Sequence, residues 1–137
     1  MALNNSIDPE IKGAIIKPHL VTADDSDGTI NAIPAGAKVV TVVGVTNNVN
    51  DFITLPRLGS VPDGHQIKIL CSAGANFELR TPASSNEKIN AQDGDGTKEY
   101  LCTDTEIVTV IKINDTTGWD AWGHTAIGAK ATAVVPD

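Results

Sequence analysis

The sequence predicts an all-β fold: a single antiparallel β-sandwich body preceded by an extended N-terminal arm. Three observations predict it. Runs rich in Val, Ile and Thr recur from Ala37 onward, and several alternate apolar with polar residues, which is the period of a half-buried strand. Turn signals built on Gly, Pro, Asn and Asp separate these runs at intervals of about ten residues. No segment between residues 37 and 124 sustains the stripe of an amphipathic helix, because Gly, Pro, Asn or Thr interrupts each candidate.

Residues 1–36 form the arm. Pro9, Pro18 and Pro34 punctuate it, and Asp24 to Gly28 is a loop signal. Only Gly13–Ile16 and Ile30–Ile33 read as short strands there. The body spans residues 37–124. Lys38–Thr46 is a β-branched strand, Asn47–Asp51 a turn, and Phe52–Leu55 a strand stopped by Pro56. Pro62-Asp63-Gly64 turns the chain: Pro presets φ and Gly accepts a positive one. From His65 to Ser72, Ile67, Ile69 and Cys71 point one way while Gln66, Lys68 and Ser72 point the other. Phe77–Thr81 alternates again and ends at Pro82. A short Lys88-Ile89-Asn90 piece precedes a hairpin-like turn at Asp93–Gly96.

Glu99–Thr103 and Ile107–Ile113 are two further strands. The second begins apolar on both faces, which predicts burial on both sides. Asn114–Gly118 turns the chain into a last strand, Trp119–Trp122, whose two indoles are three residues apart and so face opposite sides. One belongs in the core and the other suits an interface, where Trp is favoured. Residues 125–137 form a C-terminal tail with an apolar stretch, Ala131–Val135. The strand pattern fits a jelly roll and an immunoglobulin-like sandwich equally.

Composition narrows the function classes. The 137 residues suit one domain, and the five aromatics leave a core of small aliphatics, so assembly with other copies would add burial. A net charge of −7 with no basic run argues against nucleic acid and against an anionic membrane surface. Met1–Glu10 has no apolar signal core, and no apolar run is long enough to span a bilayer. Cys71 and Cys102 are too few for a disulfide framework and read as buried free thiols, with a single disulfide between them as the alternative. His19, His65 and His124 lack metal-ligand spacing.

No catalytic constellation emerges. Neither a nucleophile elbow nor a His-Glu-x-x-His helix occurs, and Cys71 and His65 are too far apart along a strand to form a dyad. A dyad of Cys71 or Cys102 with His124 would depend on the tertiary fold alone. Asp25-x-Asp27-Gly28 and Asp93-x-Asp95-Gly96 resemble the start of calcium loops but lack the twelfth-position carboxylate, so they read as Asp-Gly turns. Phosphate-binding glycine loops are absent. The expectation is a non-enzymatic protein with no catalytic residues, no cofactor and no metal.

One resemblance adds to this. Ile33–Ala37, Val45–Pro56, Asp63–Ile69, Phe77–Pro82, Glu87–Asn90 and Thr117–Trp122 fall in the order found in a β module of bacteriophage virion proteins: head decorations, head fibres and tail fibres. The chain resembles that module over about two-thirds of its length, and it lacks repeats and coiled-coil heptads. The resemblance implies an all-β structural protein, usually trimeric. Its shortness favours a capsid decoration or cement protein that bridges major capsid subunits on the virion surface, made in the host cytoplasm. The alternative is a tail-fibre or head-fibre module that binds host surface carbohydrate. The expected partners are further copies of the chain and the major capsid protein, with no nucleic acid and no membrane. Expected contact residues are Ile7, Ile11, Ile15 and Ile16 in the arm, Trp122 in the body, and Val134 and Val135 in the tail.

Overall fold

A computed structural model describes residues 17–26, 29–45, 50–93 and 99–124. The described chain is all-β apart from one short 3-10 turn at Leu58–Ser60. Its strands are β1 (His19–Ala23), β2 (Val39–Val45), β3 (Phe52–Thr54), β4 (Gln66–Cys71), β5 (Phe77–Arg80), β6 (Lys88–Ile89), β7 (Gln92–Asp93), β8 (Tyr100–Cys102), β9 (Ile107–Asn114) and β10 (Gly118–His124). They form two sheets. The larger runs β1-β2-β4-β9-β10-β6-β7, and the smaller runs β3-β5-β8.

The sheets are mixed, which corrects the expectation of purely antiparallel pairing. β1 with β2, β2 with β4, β3 with β5, and β10 with β6 are parallel. The reason is the path of the chain. Two parallel neighbours need a crossover between them, and here the crossover is a strand of the opposite sheet. The chain goes from β2 in the large sheet to β3 in the small one, back to β4, and over again to β5. Residues 31–33 make the same excursion between β1 and β2: Ala32 bridges Thr54 in parallel, and Ile33 N–H donates to the Thr54 carbonyl at 2.9 Å. The first half of the body is therefore a short coil of strands wound between two sheets. Only after β5 does the chain reverse, through the antiparallel pairs β5–β8, β4–β9 and β9–β10.

One core lies between the sheets. Val21, Val40, Val42, Ile67, Ile69, Cys71, Val108, Val110 and Trp119 fill it from the large sheet, and Ile53, Phe77, Leu79, Tyr100 and Cys102 from the small one. The alternation read at Ile67, Ile69 and Cys71 holds, with Gln66, Lys68 and Ser72 outward and exposed. β1 falls in the stretch read as an arm, yet it contributes Val21 and Ala23 to this core. In β9, burial on both faces is confined to the middle. Val108, Thr109 and Val110 are buried, whereas Ile107 is 41% exposed. The turn after Lys88–Ile89 is made by Asn90 and Ala91, both at positive φ, and links β6 to β7. Of the Asp93–Gly96 turn, all but Asp93 lies outside the described residues, as do the strand expected at Gly13–Ile16 and the tail 125–137.

Two polar side chains brace the core. Lys112 points inward from β9 and is 3% exposed. Its Nζ donates to the carbonyls of Leu58 and Val61, each at 2.8 Å, and pairs with Asp63 and Asp115. A buried ammonium is tolerable because oxygens saturate its donors, and the effect is to pin the Leu58–Ser60 turn onto the sheet. On the other side of β10, Asn90 clasps that strand. Its side-chain amide donates to the Ala121 carbonyl at 3.1 Å and its side-chain oxygen accepts from Ala121 N–H at 2.8 Å.

Candidate assembly surface

The two outer faces of the body differ in character. On the small sheet, Glu78 and Arg80 project outward from β5. Arg80 lies 4.2 Å over the Phe52 ring and pairs with Glu78 and Glu99. This face carries charge alongside one exposed leucine, Leu101. The large sheet is different. Strand register places Leu20, Thr41, Leu70, Ile107 and His124 in one transverse row across β1, β2, β4, β9 and β10. Leu20 is 71% exposed, Ile107 41%, and Val43, further along β2 on the same face, 51%. Leu70 is half-buried among them. Lys and acidic side chains are absent from this row. Exposed aliphatics thus line up in one row of this face, with the exposed Lys68 and Asp120 in the next two rows.

The next row holds Val39, Lys68, Thr109 and Trp122. Trp119 is fully buried in the core, and Trp122 is half-buried on the outer face, as their three-residue spacing predicts. Of the contact residues expected from sequence, Trp122 is therefore placed beside the apolar row. Ile7, Ile11, Ile15, Ile16, Val134 and Val135 lie outside the described residues. Sequence reading missed Leu20 and Ile107. Ile107 had a signal, since it follows the outward parity of a strand whose inward parity is Val108 and Val110. Leu20 had none, standing in a five-residue strand between Pro18 and Asp24.

At the start of β2 and β4, Lys38, Val39, Gly64, Gln66 and Lys68 line an open depression of about 340 Å³. His65 lies beneath its rim, buried. Its Nε2 is 2.9 Å from the Ala37 carbonyl and its Nδ1 3.3 Å from Lys38 Nζ. These partners assign the neutral tautomer with the proton on Nε2. Burial and the nearby Lys38 ammonium both hold its pKa below the ordinary histidine value, against the pull of the Ala37 bond. His65 is thus a structural ring bonded to backbone, with no nucleophile beside it.

Several other titratable groups have defined surroundings. Cys71 and Cys102 are free, buried thiols of the core. Burial, followed by the neighbouring Cys71 and Glu106, pushes the Cys102 thiol up, so it stays protonated and unreactive. His124 stands on the outer face opposite Ile107, on the other side of the sheet from Cys71, so no thiol–imidazole dyad is formed. Tyr100 is buried against Gly123, and desolvation drives its phenol well above its ordinary pKa. In the Asp24–Ser26 loop, Asp24 accepts from Ser26 backbone and hydroxyl, which holds its carboxyl below the usual range. Asp27 and Gly28 lie outside the described residues. Among the described residues no three His, Cys, Asp or Glu side chains are grouped to hold a metal. Among them also, no helix is long and apolar enough to cross a membrane. Comparison with protein-family models, curated proteins and solved structures returns no match to this chain.

Proposed function

We propose that this chain is a non-enzymatic structural protein of a bacteriophage particle, a capsid decoration or cement protein that stabilises the head by bridging major capsid subunits. The observation that supports an assembly role is the exposed, uncharged row Leu20–Leu70–Ile107 on the outer face of the large sheet. The phage setting rests on the ordered series of segments from Ile33 to Trp122 described above. On this reading the two sheets act as a small sandwich-like body with one face toward solvent and one toward partners. The chain functions as a homotrimer on the virion surface, and its partners are its own copies and the major capsid protein. Affinity comes from apolar burial over a small area repeated many times, which suits a cement because avidity multiplies weak contacts.

The test is co-sedimentation of the purified protein with empty phage capsids, with capsid melting measured in its presence and absence. Saturable binding and a higher capsid melting temperature are the expected results. A protein that ignores capsids but binds glycans on an array would replace this reading with that of a fibre module.

A further inference from the structure

Two short connections cross between the sheets at one corner of the body. Residues 72–76 lead from Cys71, the last residue of β4, to Phe77, the first of β5. Residues 103–106 lead from Cys102, the last residue of β8, to Ile107, the first of β9. The register closes the figure. Phe77 lies opposite Cys102 across the β5–β8 pair. Cys71 N–H donates to the Glu106 carbonyl at 2.9 Å, and Thr105 N–H donates to the Cys71 carbonyl at 2.8 Å. Each cysteine therefore ends its strand beside the connection that leaves the other. Side chains tie the two connections together. Gly74 N–H donates to the Asp104 carboxylate at 3.1 Å, and Asp104 N–H donates to the Asn76 side-chain oxygen at 3.0 Å.

Inside this corner both thiols belong to the core. Cys71 comes from the large sheet and Cys102 from the small one, and both are free. Cys71 is also the side-chain neighbour that acts first on the Cys102 thiol. Because β4 and β8 lie in different sheets, no hydrogen-bond ladder joins them. A covalent bond between the two sulfurs would add a link the backbone does not provide.

We propose that Cys71 and Cys102 form a disulfide site, a reversible cross-link that staples the two sheets when the chain meets a disulfide oxidant such as oxidised glutathione. The Cys102 thiolate attacks one glutathione sulfur, forms a mixed disulfide and releases one glutathione thiolate. The Cys71 thiolate then attacks the Cys102 sulfur and expels the second. Two protein thiols are oxidised, one glutathione disulfide is reduced, and the two protons leave on the two glutathione thiols. Access comes through β8. It has three residues and, among the described residues, pairs on one side only, with β5. Such an edge opens locally more readily than a central strand. Exchange is therefore slow in the folded protein, in keeping with its buried thiols. The site stays open in reducing surroundings and closes in oxidising ones. This inference does not depend on the proposed function.

The test is redox equilibration of the full chain. Reduced protein is held in glutathione buffers of graded composition until no further change occurs, once folded and once in urea above the unfolding midpoint. Acid quenches the exchange, and intact mass with non-reducing peptide mapping reads the product. The expected product is a single chain lighter by two hydrogen atoms, with the peptides of Cys71 and Cys102 joined. The effective concentration of the pair, read from the glutathione concentrations at half-closure, should be on the order of 100-fold higher in the folded chain than in the unfolded one. The closed chain should melt about 8–16 °C above the reduced chain. A Cys102→Ala variant should gain no melting temperature on oxidation; the comparison of closed and reduced wild type needs no variant. Equal effective concentrations in the folded and unfolded chain overturn the inference. So do glutathione adducts in place of the link, disulfides between chains, or a closed chain that melts lower.

Discussion

Replacing Gly118 by alanine tests the close packing of β10 against β6. Gly118 opens β10 at φ +92°, a backbone conformation that L side chains rarely adopt. A methyl group there would overlap the Lys88 carbonyl oxygen and lie 3.1 Å from the Lys88 carbonyl carbon. Both belong to backbone of β6, which cannot swing aside as a side chain tip can. The strain of the left-handed backbone costs about 1–2 kcal/mol. Overpacking against fixed backbone adds about 1–3 kcal/mol. Pushing β6 away also strains the bond from Asn90 N–H to the Trp119 carbonyl, now 2.8 Å, and the Asn90 clasp on Ala121. The sum is about 2–5 kcal/mol, which at about 4 °C per kcal/mol for a domain of this size lowers Tm by about 8–20 °C. Gly64 is the control. Its φ is +80°, but a Cβ there meets nothing within 4 Å. Gly64→Ala therefore carries backbone strain alone, with a Tm loss of about 4–8 °C. Thermal unfolding followed by circular dichroism reads both. Equal losses for the two variants would refute the close approach of β6 to β10.

Three further outcomes follow from the polar groups of the core. His65 is neutral in the folded state with its pKa depressed below the ordinary 6.5, so its contribution to stability is complete above about pH 6.5 and is lost as pH falls through the lower folded value. Urea midpoints should therefore decline as pH falls below about 6.5, and His65→Gln should flatten that slope; a slope that the substitution leaves unchanged contradicts the assignment. Lys112→Met removes the donor to the Leu58 and Val61 carbonyls, of which Leu58 keeps only the bond from Val61 N–H at 3.2 Å, so the urea midpoint falls and proteolysis at the 57–61 turn accelerates. Unchanged cleavage there would show that Lys112 does not hold the turn. Cys71 and Cys102 should resist a thiol reagent in the native protein at pH 8 and both react after denaturation, as counted by the released chromophore; fast native labelling would place a thiol at the surface.

Much of the local structure was legible in the residues. The alternation in Gln66–Cys71 fixed which side of β4 is buried, because side chains on a strand have period two. Pro56 and Pro62-Asp63-Gly64 marked turns through backbone chemistry that acts within a few residues. The spacing of Trp119 and Trp122 told that one indole is core and the other outward. His19–Ala23 was not legible, since five residues without strong alternation become a strand only when β2 offers its edge.

What the sequence by itself determined, then, is the all-β class, most strand positions and the inward parity of each, all consequences of short-range periodicity and turn geometry. Which strands lie side by side, and in which direction, was decided by tertiary structure alone. Parallel pairing of β2 with β4 and of β3 with β5 depends on the chain crossing between sheets, a path that leaves the same alternation in the residues as a hairpin does. The apolar row is of the same kind. Leu20, Leu70 and Ile107 are scattered over 88 positions of sequence (from 20 to 107), and only the register of β1, β2, β4 and β9 brings them into one line.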